Sequence, residues 1–140
     1  MSHNRALNIL LVGGESAGVQ ALRLLAGSPH HVAGVMSSPA RDAGEPGLWN
    51  AARKQGFECI PAEQIRLPEF AAVVCDREID VLLNVHSLYL IPGEVLDACR
   101  VGAFNLHPGP LPEYAGLDVP SWALYHGETR HGVTLHHMVP

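Results

Sequence analysis

The stretch Phe104-Asn105-Leu106-His107-Pro108-Gly109-Pro110-Leu111-Pro112-Glu113-Tyr114-Ala115-Gly116 decides how the chain is read, because an apolar run stops there at an Asn and a His. Ala103 to Leu106 reads as a short buried strand, and the three prolines with Gly109 and Gly116 forbid its continuation as strand or helix. Asn105 and His107 therefore stand at the carboxyl end of a strand, the edge where open α/β sheets bind ligands. Spaced by two, they share one side of that strand. One reading gives the amide and the imidazole to an oxyanion developing at this edge. The other makes Asn105 a loop cap and His107 a half-buried loop histidine.

Upstream, strands and helices alternate. Asn8 to Val12 is an apolar run of strand length, ended by Gly13-Gly14, and Val19, Leu22 and Leu25 then mark one face of a helix. Gly27 and Ser28-Pro29 stop that helix, and His31 to Met36 reads as a second strand, so a right-handed parallel crossover is expected. A polar loop over Arg41 to Gly47 leads to a helix over Leu48 to Gln55, closed by Gly56, and a short strand over Phe57 to Ile60. Pro68 to Glu78 reads as a helix, Val81 to Val85 as a central strand, and Gly93 to Cys99 as a helix opened by Pro92. The pattern specifies an α/β fold, a Rossmann-like three-layer sandwich with a mostly parallel sheet, in one domain over residues 1–140.

The turn Gly13-Gly14-Glu15-Ser16-Ala17-Gly18 misses the Gly-x-Gly-x-x-Gly spacing of dinucleotide sites, Glu15 would face a pyrophosphate, and no acid ends the second strand. Its glycines either simply turn the chain tightly or bring the backbone close to a ligand. Length and composition bound the rest: 140 residues with 47% hydrophobic and 16% charged side chains suit an ordered globular chain. No apolar run reaches the roughly 20 residues that span a bilayer, and Met1 to Arg5 lacks the apolar core of a signal peptide, which predicts a cytoplasmic protein without membrane contact. The net charge of −5 and nine scattered basic residues disfavour a nucleic-acid surface. Cys59, Cys75 and Cys99 lie in apolar stretches and read as buried thiols. His136 and His137 are consecutive on an expected strand and point to opposite faces, so no metal site is expected there. Trp122 and Tyr125, at helical spacing, read as packing residues.

The stretch quoted first continues through Leu117-Asp118-Val119-Pro120-Ser121-Trp122 to Gly127-Glu128-Thr129-Arg130-His131-Gly132-Val133-Thr134. From Gly102 to Val139 the order resembles the folate-dependent formyltransferases. In them an Asn-x-His at a strand end precedes a Leu-Pro-x-Tyr/Trp-x-Gly loop, a helix, a Gly-Glu-Thr-x-x-Gly-Val-Thr turn and strand, and an Asp. Several elements agree in order and spacing, unlike a lone short motif. The resemblance implies transfer of a formyl group from 10-formyltetrahydrofolate to an amine. Asn105 would hold the oxyanion, and His107 would stabilise that charge or shuttle the proton. The segment His86 to Pro92 is too apolar for a surface loop and reads as a pocket wall. By resemblance Ser87, Leu88, Tyr89, Leu90, Ile91 and Val139 would contact the folate, though Leu88 and Leu90 equally suit plain core. The same resemblance gives Gly13, Gly14, Pro108, Gly109, Tyr114 and Gly116 to the acceptor.

The family's Asp, which orients the His, has no counterpart here, since Val133 to Pro140 stops a few residues short of it. Loss of such a carboxylate costs about 10⁴-fold in rate by analogy with other acid-base sites. The expectation is therefore a piece of a longer, multidomain protein or a truncated catalytic domain, whose open sheet edge pairs with a second copy. The tRNA-formylating branch carries a further C-terminal domain that is not in this chain, so a small-molecule amine is the expected acceptor: an amino sugar, an amino-acid derivative or a carrier-bound aminoacyl group, which would place the protein in secondary metabolism. Two alternatives stay open: hydrolysis of 10-formyltetrahydrofolate, and a noncatalytic folate- or nucleotide-binding module.

Overall fold

Six strands form one sheet in the order β3-β2-β1-β4-β5-β6, in a computed structural model that describes residues 5–140. The elements are β1 (Asn8–Gly13), α1 (Glu15–Ala26), β2 (His31–Ser37), α2 (Leu48–Lys54), β3 (Cys59–Pro61), α3 (Phe70–Asp76), β4 (Val81–Val85), α4 (Gly93–Asp97), β5 (Gly102–His107), α5 (Val119–Tyr125) and β6 (Thr134–His137). Strands β1 to β5 are parallel and β6 is antiparallel to β5, so the expected mostly parallel three-layer architecture is the one found. The reading of Met1 to Asn4 lies outside the described residues. No described helix is long and apolar enough to cross a membrane.

Period-two alternation along β1 explains the layering. Leu10 and Val12 enter one core with Phe70 and Val74 of α3 and Val95 and Leu96 of α4, while Leu11 enters another with Leu22 of α1 and Leu48 and Ala52 of α2. A strand covered on both faces has no polar side to show, hence the unbroken apolar run. Strand order reverses between β1 and β4, and that crevice opens at their carboxyl ends.

Several expectations are corrected. β3 starts two residues late, and a 3-10 turn over Ala62–Arg66 precedes α3, which is shorter than Pro68 to Glu78. Only Cys99 is fully buried; burial pushes its thiol up to about 11, whereas Cys75 is exposed because it points away from the sheet-facing side of α3 that carries Phe70 and Val74. Trp122 and Tyr125 do not enter the core: α5 buries Val119 and Ala123 instead, and the two rings stack edge to face with centroids 5.8 Å apart at the surface.

At the amino edge, Asp80 is wholly buried and joins three strands. Its carboxylate accepts from the Asn8 backbone N–H at 2.8 Å, from Arg5 at 2.6 Å and from Arg100 at 3.1 Å. Its own N–H donates to the Asn8 carbonyl, and its carbonyl accepts from Val101 and Gly102. The Asn8 hydrogen bond, with the two guanidinium groups, holds the Asp80 carboxyl below the usual carboxylate range against the opposing effect of burial. The folded value lies below the unfolded one, so this stabilisation is present above the unfolded pKa and is lost as pH falls through the folded pKa. Asp80→Asn is expected to cost about 2–4 kcal/mol in urea unfolding at neutral pH, and the deficit should shrink below about pH 4.

Candidate active site at the carboxyl edge of the sheet

Asn105 and His107 close β5 on the same face of the sheet as Ala103, whose side chain enters the α3/α4 core. The parallel register puts Asn84 of β4 opposite Asn105, and the antiparallel register puts His136 of β6 on its other side. Asn84 Nδ2 donates to Asn105 Oδ1 at 2.9 Å, and Asn105 Nδ2 lies 3.1 Å from His136 Nε2. His107 Nε2 lies 2.6 Å from the Tyr114 carbonyl oxygen. A carbonyl only accepts, so Nε2 carries the proton and Nδ1 of the neutral ring is left as a base.

The loop after β5 is built around that hydrogen bond. A side chain at Gly109 would meet Val119 Cγ1 at 2.4 Å and the Tyr114 carbonyl oxygen at 3.1 Å, so only glycine lets the loop fold back on α5. Thr134 Oγ1 donates to the Gly109 carbonyl at 2.8 Å and accepts from the Leu111 N–H at 3.1 Å, tying the loop to β6. His131 Nε2 reaches the Pro108 carbonyl at 2.8 Å. Tyr114 donates its hydroxyl to Glu128 at 2.9 Å, and loss of hydration together with that carboxylate pushes the phenol above its usual range. Gly116 adopts φ +103°, which suits glycine, and faces open space.

At the crevice between β1 and β4 lies a cavity of about 390 Å³. Its wall includes Gly13, Gly14, Ser37, Trp49, Ser87, Leu88 and Tyr89, so four of the residues read as binding from sequence converge here, along with Leu88 at its mouth. Gly13 is obligatory: a Cβ there would stand 2.6 Å from the Val85 carbonyl oxygen. Asn50, buried, donates to the Asp42 and Glu45 carbonyls at 2.8 Å each and pins the rim to α2.

Leu90, Ile91 and Val139 do not line this cavity, nor do Asn105, His107, Pro108, Gly109, Tyr114 and Gly116 at the end of β5. The segment from His86 to Pro92 is only partly the apolar wall expected: Tyr89 and Ile91 pack on the α3/α4 core, whereas Leu88 and Leu90 are 82% and 88% exposed. Alternation along the extended segment turns odd positions inward and even ones out, so the reading of Leu88 and Leu90 as core fails.

Four residues brought together here were given no role of their own from sequence, although Glu15 lay in the glycine turn and His86 in the expected pocket wall. Asn84 is hidden in an apolar strand, and His136 was weighed only against metal binding. Glu15 and His86 face each other across the crevice with Oε2 and Nδ1 3.0 Å apart, both in left-handed conformations, φ +51° and +57°. Non-glycine residues rarely adopt that region, and such strain clusters at functional sites. A β-to-α turn that continues Gly-Gly with Glu, and a strand followed at once by His, are the only sequence signals.

A family model described as formyl transferase matches residues 5–139. Among curated proteins, a methionyl-tRNA formyltransferase from Sorangium cellulosum (strain So ce56) is 36% identical over 138 residues, covering 94% of this chain and 44% of that protein. The chain spans less than half the length of the curated relatives it matches. Among solved structures, glycinamide ribonucleotide transformylase 1 from Symbiobacterium toebii superposes with a TM-score of 0.75 at 22% identity, over 98% of this chain and 68% of that one. A 4-N formyltransferase from Francisella tularensis gives 0.65 at 18% identity, over 95% and 50%.

Gly109→Ala is expected to drive the Tyr114 carbonyl away from His107 and to lower stability by about 1–3 kcal/mol. The ring ¹⁵N resonances of His107 should then lose the fixed Nε2–H tautomer, and an unchanged spectrum in a folded variant would contradict this account of the loop.

Proposed function

The chain belongs to the formyl transferase family, and from that premise we propose that it transfers a formyl group from 10-formyltetrahydrofolate to the primary amine of a small molecule. The observation that carries the reading is the arrangement at the end of β5: an amide N–H on Asn105 and a bare Nδ1 on His107, on one face and at one edge. When bound, 10-formyltetrahydrofolate would supply the formyl carbon: the bond from the acceptor nitrogen to that carbon would replace the bond from N10, tetrahydrofolate leaving with N10 taking up a proton. The formyl oxygen would carry charge during that exchange, and the second N–H of Asn105 is the residue's group available to hold it. His107 takes the proton that leaves the acceptor nitrogen at Nδ1, because Nε2 is held by Tyr114. The cavity's size suits one small molecule, and Gly13 and Gly14 on one side with Ser87 to Tyr89 on the other supply backbone, one ring and two hydroxyls for it. Ser87, Leu88 and Tyr89 fit the donor's flat heterocycle, whereas Leu90, Ile91 and Val139 stand outside the cavity and fit it poorly.

An acceptor without phosphate suits the lining best. Glu15 and Glu45 are its carboxylates, it contains no Lys or Arg, and its one cationisable group, His86, already faces Glu15. A phosphate would therefore meet like charge and no Lys or Arg side chain.

Calorimetry with a stable 10-formyltetrahydrofolate analogue, with NAD and ATP as controls, is expected to show selective folate binding. In a chain with measurable formyl transfer, Asn105→Ala should cut kcat about 10²–10³-fold. His107→Ala should cut it about 10²–10⁴-fold and leave folate binding within about twofold. Absence of folate binding by the folded chain would overturn the proposal.

A further inference from the structure

The amides of Asn84 and Asn105 and the imidazole of His136 form a chain whose polarity is readable from its closed end. His136 Nδ1 lies 3.1 Å from the His137 carbonyl oxygen, which only accepts, so Nδ1 carries the proton and Nε2 of the neutral ring is a bare acceptor. Nε2 therefore takes an N–H from Asn105 Nδ2, at 3.1 Å. That turns Asn105 Oδ1 toward β4, where Asn84 Nδ2 donates to it at 2.9 Å. Each orientation is forced by the one before it. The chain ends on Asn84 Oδ1, which is buried and has no hydrogen-bond partner among the described residues.

Such an end is costly, because buried polar atoms almost always find partners. The neighbours of Asn84 on this face, Leu82 along β4 and Val12 across on β1, are wholly buried aliphatics, so an aliphatic side chain would suit the position without that cost. What Asn84 adds is one N–H aimed at Asn105. We propose that Asn84 is a positioning residue that locks the Asn105 amide with its NH₂ group turned from β4. One N–H is thereby committed to His136 and the other is presented to the formyl oxygen. The use of that second N–H rests on the formyl-transfer reading; the locking does not.

The test reads His136 in the ¹⁵N-labelled full chain above neutral pH. In the native protein its ring shifts should place the proton on Nδ1, the minor tautomer of free imidazole, with a through-hydrogen-bond coupling from Nε2 to Asn105 Nδ2. In Asn84→Asp the carboxylate can only accept, so Asn105 should turn over and present Oδ1 to His136, and Nε2 should become proton-bearing, the ring taking up a second proton where the His137 carbonyl still holds Nδ1–H. An Asn84 that merely fills space would leave Nε2 bare in the folded variant, and that result overturns the inference. So does a native His136 with its proton on Nε2, a measurement that stands even if the variant does not fold. Folate-analogue binding to the same native sample separates the two claims. A locked His136 without folate binding overturns the formyl-transfer reading alone, and folate binding with an unlocked His136 overturns the positioning role alone.

Discussion

The buried Asp80 carboxylate is the constraint on which the rest of the molecule depends. It stands where β1, β4 and β5 begin, and its backbone and side chain together bond to Asn8, Val101 and Gly102. Parallel strands pair evenly along their length, so a register fixed at one end is carried to the other. From Val81 opposite Gly102, three further steps bring Asn84 opposite Asn105, and from Ile9 opposite Val81, four bring Gly13 opposite Val85. A carboxylate at the amino edge thus sets which side chains meet at the carboxyl edge.

At that opposite edge polar groups are held by rigid elements rather than by loops alone. Asn105 is gripped from both neighbouring strands, and His107 by a loop that glycine allows to close and Thr134 ties down. The ring proton of each histidine is assigned by a carbonyl, His137 for His136 and Tyr114 for His107, and carbonyls cannot change roles as pH changes. The result is one amide oriented to donate and one imidazole nitrogen left free to accept, the two groups on which the proposed formyl transfer draws.

The crevice beside them has a different character. It lies where the strand order reverses, a side chain at Gly13 would crowd the Val85 carbonyl, and its acidic rim comes from Glu15 and Glu45. Left-handed Glu15 and His86 facing each other add strain at this crevice, and the buried Asn50 keeps the rim in place.

The strands, their order of appearance and the Asn-x-His edge were legible in the sequence because burial on both faces and proline-glycine punctuation are local signals. The same locality explains what was missed. Periodicity along His86 to Pro92 counts apolar residues but not which of them an extended segment turns outward, so Leu88 and Leu90 went unrecognised as exposed. Asn84 reads as a lone polar interruption of a buried strand until the β4–β5 register sets it against Asn105, and His136 reads as a strand histidine until β6 pairs antiparallel to β5. The sequence by itself determined the elements and the chemistry available at the end of β5. Only the tertiary structure decided which amide faces which imidazole, because hydrogen-bond polarity belongs to pairs of residues brought together across strands, 21 and 31 positions apart.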